Sequence, residues 1–445
     1  MSNGYLLIKK SSPFNGTVEV NGAKNAVLVI ITSLILTDGV SVLDNVPNNA
    51  DVQLMIRLLE DLGAKVSFDI VAKKLTVDTF GIHKFEVKPE IMNKMRASIL
   101  VMGPLLARFG KVKVALPGGD LIGLRPINYH LAGFKKFGVV AERQDPFVTA
   151  YVQQPESYAR IVLEYPSVGA TENLLMYACL GKRTTTIINA ALEPEVLDLI
   201  DILKKMGACI EILPGAILFI RGVSRLNPVQ HSIIPDRLEA GAILLAAAIT
   251  GGSVTVANAL PDHLDIFLEK LKEMGHSVST NYNPQTNSFL PGITFKATTS
   301  PRGVNIKTGP YPGFPTDLQP SFMAVLCIAK GTSVIEETVY ENRMIHAKEL
   351  GKMGAQITVE GSKATIRGVE ALYGCEVIAS DIRASCALVL AGLVAFEQTK
   401  MTGIHHWQRG YDKLEERFQK LGGLIDVFNE PLSVQENLQT TRTLP

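Results

Sequence analysis

Apolar and polar positions along this chain alternate between two periods, and the change from one to the other recurs. Six times an apolar pattern with helical spacing stops at a glycine and runs straight into a strand-like alternation. The six junctions are LGAKVSF at Gly63, FGVVAE at Gly138, MGACIEI at Gly207, MGHSVST at Gly275, MGAQITV at Gly354 and LGGLIDV at Gly422. They are spaced by about 68 to 79 residues, too regular for chance. A second set of junctions precedes the first five: DGVSVLDNV at Gly39, FGKVKVALPGG at Gly110, GKRTTTIINAA at Gly181, GGSVTVANA at Gly252 and KGTSVIEETV at Gly331. The sixth copy, EQTKMTGIHHW, carries Gln398 where the others carry glycine. Each unit therefore predicts helix, glycine cap, strand, turn, second helix, glycine cap and strand, which is the alternation of an α/β fold. Repeats of this length could also stack in a line as a solenoid, but they lack the short uniform length of common solenoid units.

Six units over 445 residues divide as three plus three, with the proline-bearing polar stretch NPVQHSIIPDR (227–237) as the crossover. The expected organisation is one three-unit domain over 24–234, carrying a mobile loop at 116–126, and a second over 1–23 and 235–430. Residues 431–445 lack periodicity and read as a loose C-terminal tail.

Charge narrows the partners. Lysine and arginine total 44 against 43 acidic residues, so no global field draws the protein to nucleic acid or to an anionic membrane. Any anion site must be local. The five cysteines are odd in number, far apart and mostly inside apolar runs, so they read as reduced core residues of a cytoplasmic protein without zinc-ligand spacing. The start, MSNGYLLIKKSSPF, lacks the order of a signal peptide, and CALVLAGLVAF (386–396) is too short to span a bilayer.

Local anion chemistry is visible in several turns. VNGAKNA sets Lys24 and Asn25 at the start of an apolar helix, where an ammonium and a positive helix end could share an anion. A solvated lysine is the plainer reading of that spot, and the spacing of a Walker loop is absent. LPGGDLIGLRP (116–126) pairs a flexible glycine turn with Asp120 and Arg125, and a carboxylate spoils a simple phosphate cradle unless the loop also moves a proton. Arg96 in NKMRASILVMGP, Arg343 in TVYENRMIH, Arg383 in SDIRASCALVL and Arg409 in HHWQRGYDKLEERF complete the set; most of these basic residues stand just before, or at the mouth of, apolar or amphipathic helices. An arginine ahead of a helix opposes the dipole unless an anion sits there too. Several such cations would suit a small polyanion bearing phosphate and carboxylate. Asp317, in FPTDLQP, is either an N-cap or a catalytic carboxylate. His405 and His406, read as one strand beside Trp407, would face opposite ways, which disfavours a metal site.

Taken together, NGAKNA, MRASI, GPLLARFG, LPGGDLIGLRP, PSVGATEN, EPEVLDL, PDRLEAG, FPTDLQ, ENR, DIRAS and RGY resemble the UDP-N-acetylglucosamine 1-carboxyvinyltransferase family over about residues 5 to 429. The resemblance implies the enolpyruvyl transferase fold, an inverse α/β barrel: two similar domains of three βαβαββ-type units, helices inside and sheets outside, closing over substrate. It implies transfer of the enolpyruvyl group of phosphoenolpyruvate to the 3-hydroxyl of UDP-N-acetylglucosamine through a tetrahedral intermediate, releasing phosphate and opening peptidoglycan synthesis. No cofactor and no metal is implied.

Carried over by motif, Lys24, Asn25, Arg125 and Arg409 would contact phosphoenolpyruvate, with Arg343 and Arg383 holding its carboxylate and the closed cleft. Arg96, the segment Arg125, Pro126, Ile127, Asn128 and Tyr129, the turn at Ser167 and Val168, Asp317 and Val339 would contact the sugar nucleotide. Asp317 would take the 3-hydroxyl proton, with Lys24 and Arg409 supporting the chemistry. Most of the family resembled has cysteine, the target of the epoxide fosfomycin, where this chain has Asp120. The expectations are that Asp120 is the proton donor, that the activity optimum lies to the acid side of a Cys-bearing relative, and that fosfomycin is tolerated. Gln408 and Asn128 replace usual acidic residues and are expected to leave positive neighbours less compensated. The rivals are a 5-enolpyruvylshikimate 3-phosphate synthase, whose Gly-Asn-Ala-Gly-Thr loop is missing, a transferase for another uridine nucleotide, a non-catalytic sugar-nucleotide sensor and a structural scaffold.

Overall fold

The computed structural model describes residues 4–120, 122–123 and 126–429. Arg125 and the 431–445 tail, both singled out above, lie outside the described residues. Among the described residues, two hydrophobic cores form. One draws its buried residues from Ala23 to Ile233, the other from Leu6 to Val20 and from Leu238 to Ile425.

In the first half, helices α1 (Lys24–Ser33), α3 (Met102–Phe109) and α5 (Val168–Cys179) are mostly buried, while α2 (Ala50–Leu62), α4 (Asn128–Lys135) and α6 (Pro194–Lys205) show one face outward. The second half repeats this with inner helices α7 (Arg237–Thr250), α9 (Gln319–Leu326) and α11 (Ile382–Gly392). Its outer ones are α8 (Asp265–Glu273), α10 (His346–Lys352), α12 (Ile404–Gly410) and α13 (Leu414–Lys420). The inner helices are apolar all round because they are packed all round; tertiary burial, not helix propensity, holds a β-branched segment such as VLVIIT (27–32). No helix among the described residues is long and apolar enough to cross a membrane.

Among the described residues, six small sheets lie outside these helices, and their strands alternate buried and open positions, as Val40–Asp44 does. Four of them share one plan: a helix delivers the chain into a strand, the chain returns as an antiparallel hairpin, a third strand lies beside it and a further strand pairs in parallel on the far side. The sheet that holds Lys111–Ala115 has three antiparallel strands, and in the last sheet Tyr5–Lys9 lies between Thr399–Thr402 and Leu424–Phe428 in place of the hairpin's return. The hairpin of Lys65–Asp69 and Lys74–Asp78 lies beside Val40–Asp44, which also pairs in parallel with Gln230–Ser232. The hydrophobic pattern showed two strands per unit; it missed the hairpin return strands, such as Lys74–Asp78, and the parallel strands, which are as short as Ile306–Lys307 and are defined only by their partners.

The glycine junctions are left-handed C-caps. Gly63, Gly138, Gly207, Gly275, Gly354 and Gly422 have φ between 78° and 113°. In the second set the fourth unit uses Gly251 (φ 75°) rather than Gly252, and the sixth, lacking glycine, places Glu397 at φ 65°. That position keeps its backbone shape against the usual side-chain preference.

The N-terminal segment belongs with the second half. Tyr5–Lys9 pairs with Thr399–Thr402 and Leu424–Phe428, and Asn15–Val18 pairs in parallel with Ser253–Val256. The chain crosses between halves twice, side by side: Ala23 N–H donates to Ile234 C=O at 2.7 Å and Asp236 N–H to Asn21 C=O at 2.8 Å.

Candidate active site

Beside this double crossing, the halves enclose a cavity of about 440 Å³. Lys24 opens α1, where Ala23 offers no side-chain cap, so the helix end is satisfied from the opposite half. Asp236 caps α7 through one oxygen, accepting Leu238 N–H and Glu239 N–H at 2.8 and 3.1 Å, and accepts Lys24 N–H at 3.1 Å with the other. One carboxylate thus joins the first turns of two inner helices.

A chain of alternating charges runs from there to the glycine loop. Lys24 Nζ lies 3.1 Å from Asp51 Oδ2, Arg409 Nε lies 2.9 Å from Asp51 Oδ1, and Arg409 Nη1 lies 2.7 Å from Asp120 Oδ1. Asp120 also accepts Ile382 N–H at 3.4 Å, and His406 Nδ1 stands 3.4 Å away. The loop bridges the cleft at a further point, where Asn342 N–H donates to Ile122 C=O at 3.0 Å. Burial pushes the Asp120 carboxyl up, but the contact with His406 and the charges of Arg409, His406 and Lys24 win and hold it well below the usual carboxylate range.

Asp317 is fixed differently. It sits in the turn Thr316–Leu318 leading into α9, caps nothing with its side chain, and receives Arg343 Nη2 at 2.5 Å and Arg383 Nη2 at 3.0 Å. Burial raises its pKa, whereas Arg383, Arg343 and Lys24 pull it far below that of a free carboxylate. Both arginines are buried; Arg383 also donates to Tyr411 Oη at 3.3 Å.

The far wall is acidic. Arg237 grips Glu195 through Nε and Nη2 at 3.0 and 3.1 Å, and Glu193 accepts Tyr311 N–H at 3.4 Å. Glu172, buried on α5, has its carboxyl pushed well above the ordinary range by burial and by Glu195 and Glu193.

Of the residues expected to form the site, Lys24, Asn25, Arg96, Asp120, Pro126, Tyr129, Ser167, Val168, Asp317, Val339, Arg343, Arg383 and Arg409 all line this cavity. Ile127 instead packs in the first core, and Asn128, the first residue of α4, is exposed. Three readings need correction. His405 and His406 are not on a strand: Gly403 (φ 77°) ends Thr399–Thr402 and starts α12, so the rings lie 4.0 Å apart and His406 faces Asp120. Arg409 lies in the last turn of α12, where a cation suits the dipole without any ligand. Gln408 leaves no charge uncompensated, because successive helix residues diverge: it donates to Asn429 Oδ1 at 3.3 Å while Arg409 meets two aspartates.

Sequence reasoning missed Asp51, the buried link between Lys24 and Arg409, and the wall made by Glu172, Glu193, Glu195 and Arg237. Asp51 had a signal of its own. NNAD is a helix start, and an acidic residue in a first turn looks like a dipole partner, which hid its second use. A grouping of Asp198, Asp201 and His231 has metal-ligand spacing but lies outside the cavity lining, and Lys205 Nζ sits within 2.7 Å of Asp201 and 3.1 Å of His231.

Similarities to known proteins agree with this geometry. The family described as EPSP synthase (3-phosphoshikimate 1-carboxyvinyltransferase) matches residues 8–418. The chain is 44% identical over 419 residues to a UDP-N-acetylglucosamine 1-carboxyvinyltransferase of Finegoldia magna, covering 94% of this chain and 97% of that protein. It is 45% identical over 420 residues to the protein of that name in Geotalea uraniireducens, covering 94% and 98%. Among solved structures, the enolpyruvyl transferase NikO from Streptomyces tendae superposes with a TM-score of 0.85 at 23% identity, over 97% of this chain and 100% of that one. EPSP synthase from Acinetobacter baumannii gives 0.74 at 17% identity, over 95% and 99%.

Proposed function

Because the chain belongs to the UDP-N-acetylglucosamine 1-carboxyvinyltransferase family, we propose that its cleft transfers the enolpyruvyl group of phosphoenolpyruvate to the 3-hydroxyl of UDP-N-acetylglucosamine and releases phosphate. One observation carries the reading. Lys24, Arg343, Arg383 and Arg409 converge on a single cavity together with two carboxylates, Asp120 and Asp317, that reach it from different halves.

Phosphoenolpyruvate carries a phosphate and a carboxylate, and a group of cations in a partly dry cleft binds both ends and the charge that builds on addition. The acceptor oxygen attacks C2 while its proton passes to Asp317; C3 gains a proton from Asp120 and becomes a methyl group. In the second half of the reaction the C2–O bond to phosphate breaks, phosphate departs with the electron pair, and a proton leaves the methyl group to restore the alkene. Asp317 is ionised and available as an acceptor, although two arginines weaken it as a base. Asp120 is ionised beside Arg409, so it takes up its proton only when the negative charge of bound phosphoenolpyruvate offsets that arginine.

The same position governs sensitivity to fosfomycin. A carboxylate paired to a guanidinium attacks an epoxide far more slowly than a thiolate does, so the protein is expected to keep its activity in the presence of the drug. The deciding experiment is phosphate release by the purified protein with both substrates from pH 5 to 9, with the product identified by mass. Release that needs both substrates and yields the enolpyruvyl sugar nucleotide establishes the reading; absence of turnover rejects it.

A further inference from the structure

Arg409 acts across a boundary. It is carried by the second half, on α12, yet both of its carboxylate partners, Asp51 and Asp120, belong to the first. An arginine side chain has many rotamers, and ion pairs between side-chain tips do little to restrict the backbones behind them. A second tie joins the same two elements on their outer side. Asp412, in the link between α12 and α13, accepts the backbone N–H of Asn48 on Oδ2 at 2.9 Å, across a separation of 364 residues. The same oxygen lies 3.4 Å from Asn21 Nδ2, which also donates to Asp412 C=O at 3.1 Å. Lys73 Nζ, which can only donate, lies 2.6 Å from Asn21 Oδ1 and so fixes which end of that amide faces Asp412.

Both ends of this tie are held in turn. Gln53 Nε2 donates to Asn48 Oδ1 at 2.7 Å, and the next residue, Asn49, caps α2 by accepting Val52 N–H at 3.0 Å. Asp51 stands in that same first turn. On the other side, Arg417 Nη1 donates to Asp412 C=O at 2.9 Å. The ordinary reading of an aspartate two positions before a helix is a cap. Among the described residues, however, neither oxygen of Asp412 bonds an N–H of α13 or joins an ion pair; the side chain is spent across the boundary. Its partner is a main-chain N–H, which has no rotamer to lose, and an ionised acceptor makes the stronger kind of hydrogen bond. Asp51 and Arg409 line the cavity, whereas Asn48 and Asp412 line a separate hollow on the outside. The outer tie therefore stands behind the site and touches none of the cavity lining's ligand-facing space.

We propose that Asp412 is a positioning residue for the use of phosphoenolpyruvate: its carboxylate clasps the start of α2 and thereby sets the approach of Arg409 to Asp51 and Asp120. The proposal rests on the reading of the cleft given above. Asn21 and Lys73 act through Asp412 by holding a donor against it from the crossing between the halves.

The test compares Asp412→Ala with Asp412→Asn in steady-state phosphate release, alongside thermal unfolding. Asparagine can keep an acceptor oxygen at the position of Oδ2, whereas alanine removes it. Because a misplacement of about 1 Å can cost on the order of a hundredfold, the alanine variant should lose roughly ten- to a hundredfold in kcat/KM for phosphoenolpyruvate. Its KM for UDP-N-acetylglucosamine should stay within about twofold of the parent, and the asparagine variant should stay within about threefold in every constant. In an Arg409→Ala background the alanine change should cost less than about twofold more, because it acts through that arginine. Unchanged kinetics of Asp412→Ala overturn the inference. So does a loss that weakens both substrates in step with a lower melting temperature, which would mark a structural role. An equal loss in Asp412→Asn overturns the hydrogen-bonded clasp, and a further loss of full size in the Arg409→Ala background overturns the route through Arg409. If the parent releases no phosphate with both substrates, the functional reading fails first and takes this inference with it; a parent that turns over beside an equally active alanine variant removes the inference alone.

Discussion

Asp120 and Asp317 face the same cavity and are both held as carboxylates by arginine, yet they are supported in opposite ways. Asp317 is gripped by Arg343 and Arg383, two buried residues of its own half, so its geometry comes with the core that surrounds it. Asp120 lies on a glycine turn of one half and is gripped by Arg409 and Ile382 N–H of the other. The first is a fixture of a folded body; the second exists only while two bodies meet. A residue that accepts a proton from an already docked hydroxyl gains from being fixed. One that must pick up a proton and deliver it gains from arriving with closure.

Asparagine at position 317 should have the largest effect. It leaves two buried guanidiniums facing each other without their shared charge, which is expected to lower stability by ~3–5 kcal/mol. The same change should cut turnover by roughly 10²–10⁴-fold through loss of the proton acceptor. Urea unfolding and phosphate release read the two effects separately. Asp120→Asn should lose turnover on a comparable scale while unfolding within about 1 kcal/mol of the parent, because its partner Arg409 keeps Asp51. Equal destabilisation by both substitutions would mean that the loop is as much a part of a core as Asp317 is, and the contrast would collapse.

Asp120→Cys sharpens the comparison further. A thiol has an ordinary pKa near 8.5 against 3.9 for the carboxyl. The variant should retain turnover, move its pH optimum toward higher pH and become susceptible to time-dependent inactivation by fosfomycin, all measurable in one phosphate-release assay. Inactivation of the parent at the same rate would remove the proposed role of the carboxylate. The smallest effect concerns acid stability. Asp317 has a folded pKa below its unfolded value near 3.9, so its pairing contributes in full above that value and is lost as pH falls below it toward the folded pKa. The parent's advantage over Asp317→Asn should stay constant from pH 8 to 5 and shrink below about pH 4. An advantage that disappears above pH 5 would place the carboxyl outside its arginine pair.

The repeat was legible in sequence because it is local. A helix face, a glycine cap and the first strand residues fit within a dozen positions, and all six caps at Gly63 and its counterparts are left-handed. The parallel strands were not legible: Gln230–Ser232 finds Val40–Asp44 from the other end of its half, and nothing in three residues announces that pairing. The site divides along the same line. Cations and carboxylates in distinctive motifs could be placed by resemblance, whereas Asp51 owes its role to an approach made in three dimensions. Asp51 meets Arg409 across a separation of 358 residues.

The threading of the chain through the double crossing also sets a timetable for biosynthesis. Residues 23 to 233 supply a contiguous core and can fold as soon as they leave the ribosome. The strands Tyr5–Lys9 and Asn15–Val18 are made before that core, yet their partners start only at Ser253 and finish at Phe428. At about 5–20 residues per second, those two strands wait on the order of tens of seconds with their backbone edges unpaired. These two strands are therefore covered long after they are made, and until then their open edges are what the newborn chain exposes to chaperones and to aggregation.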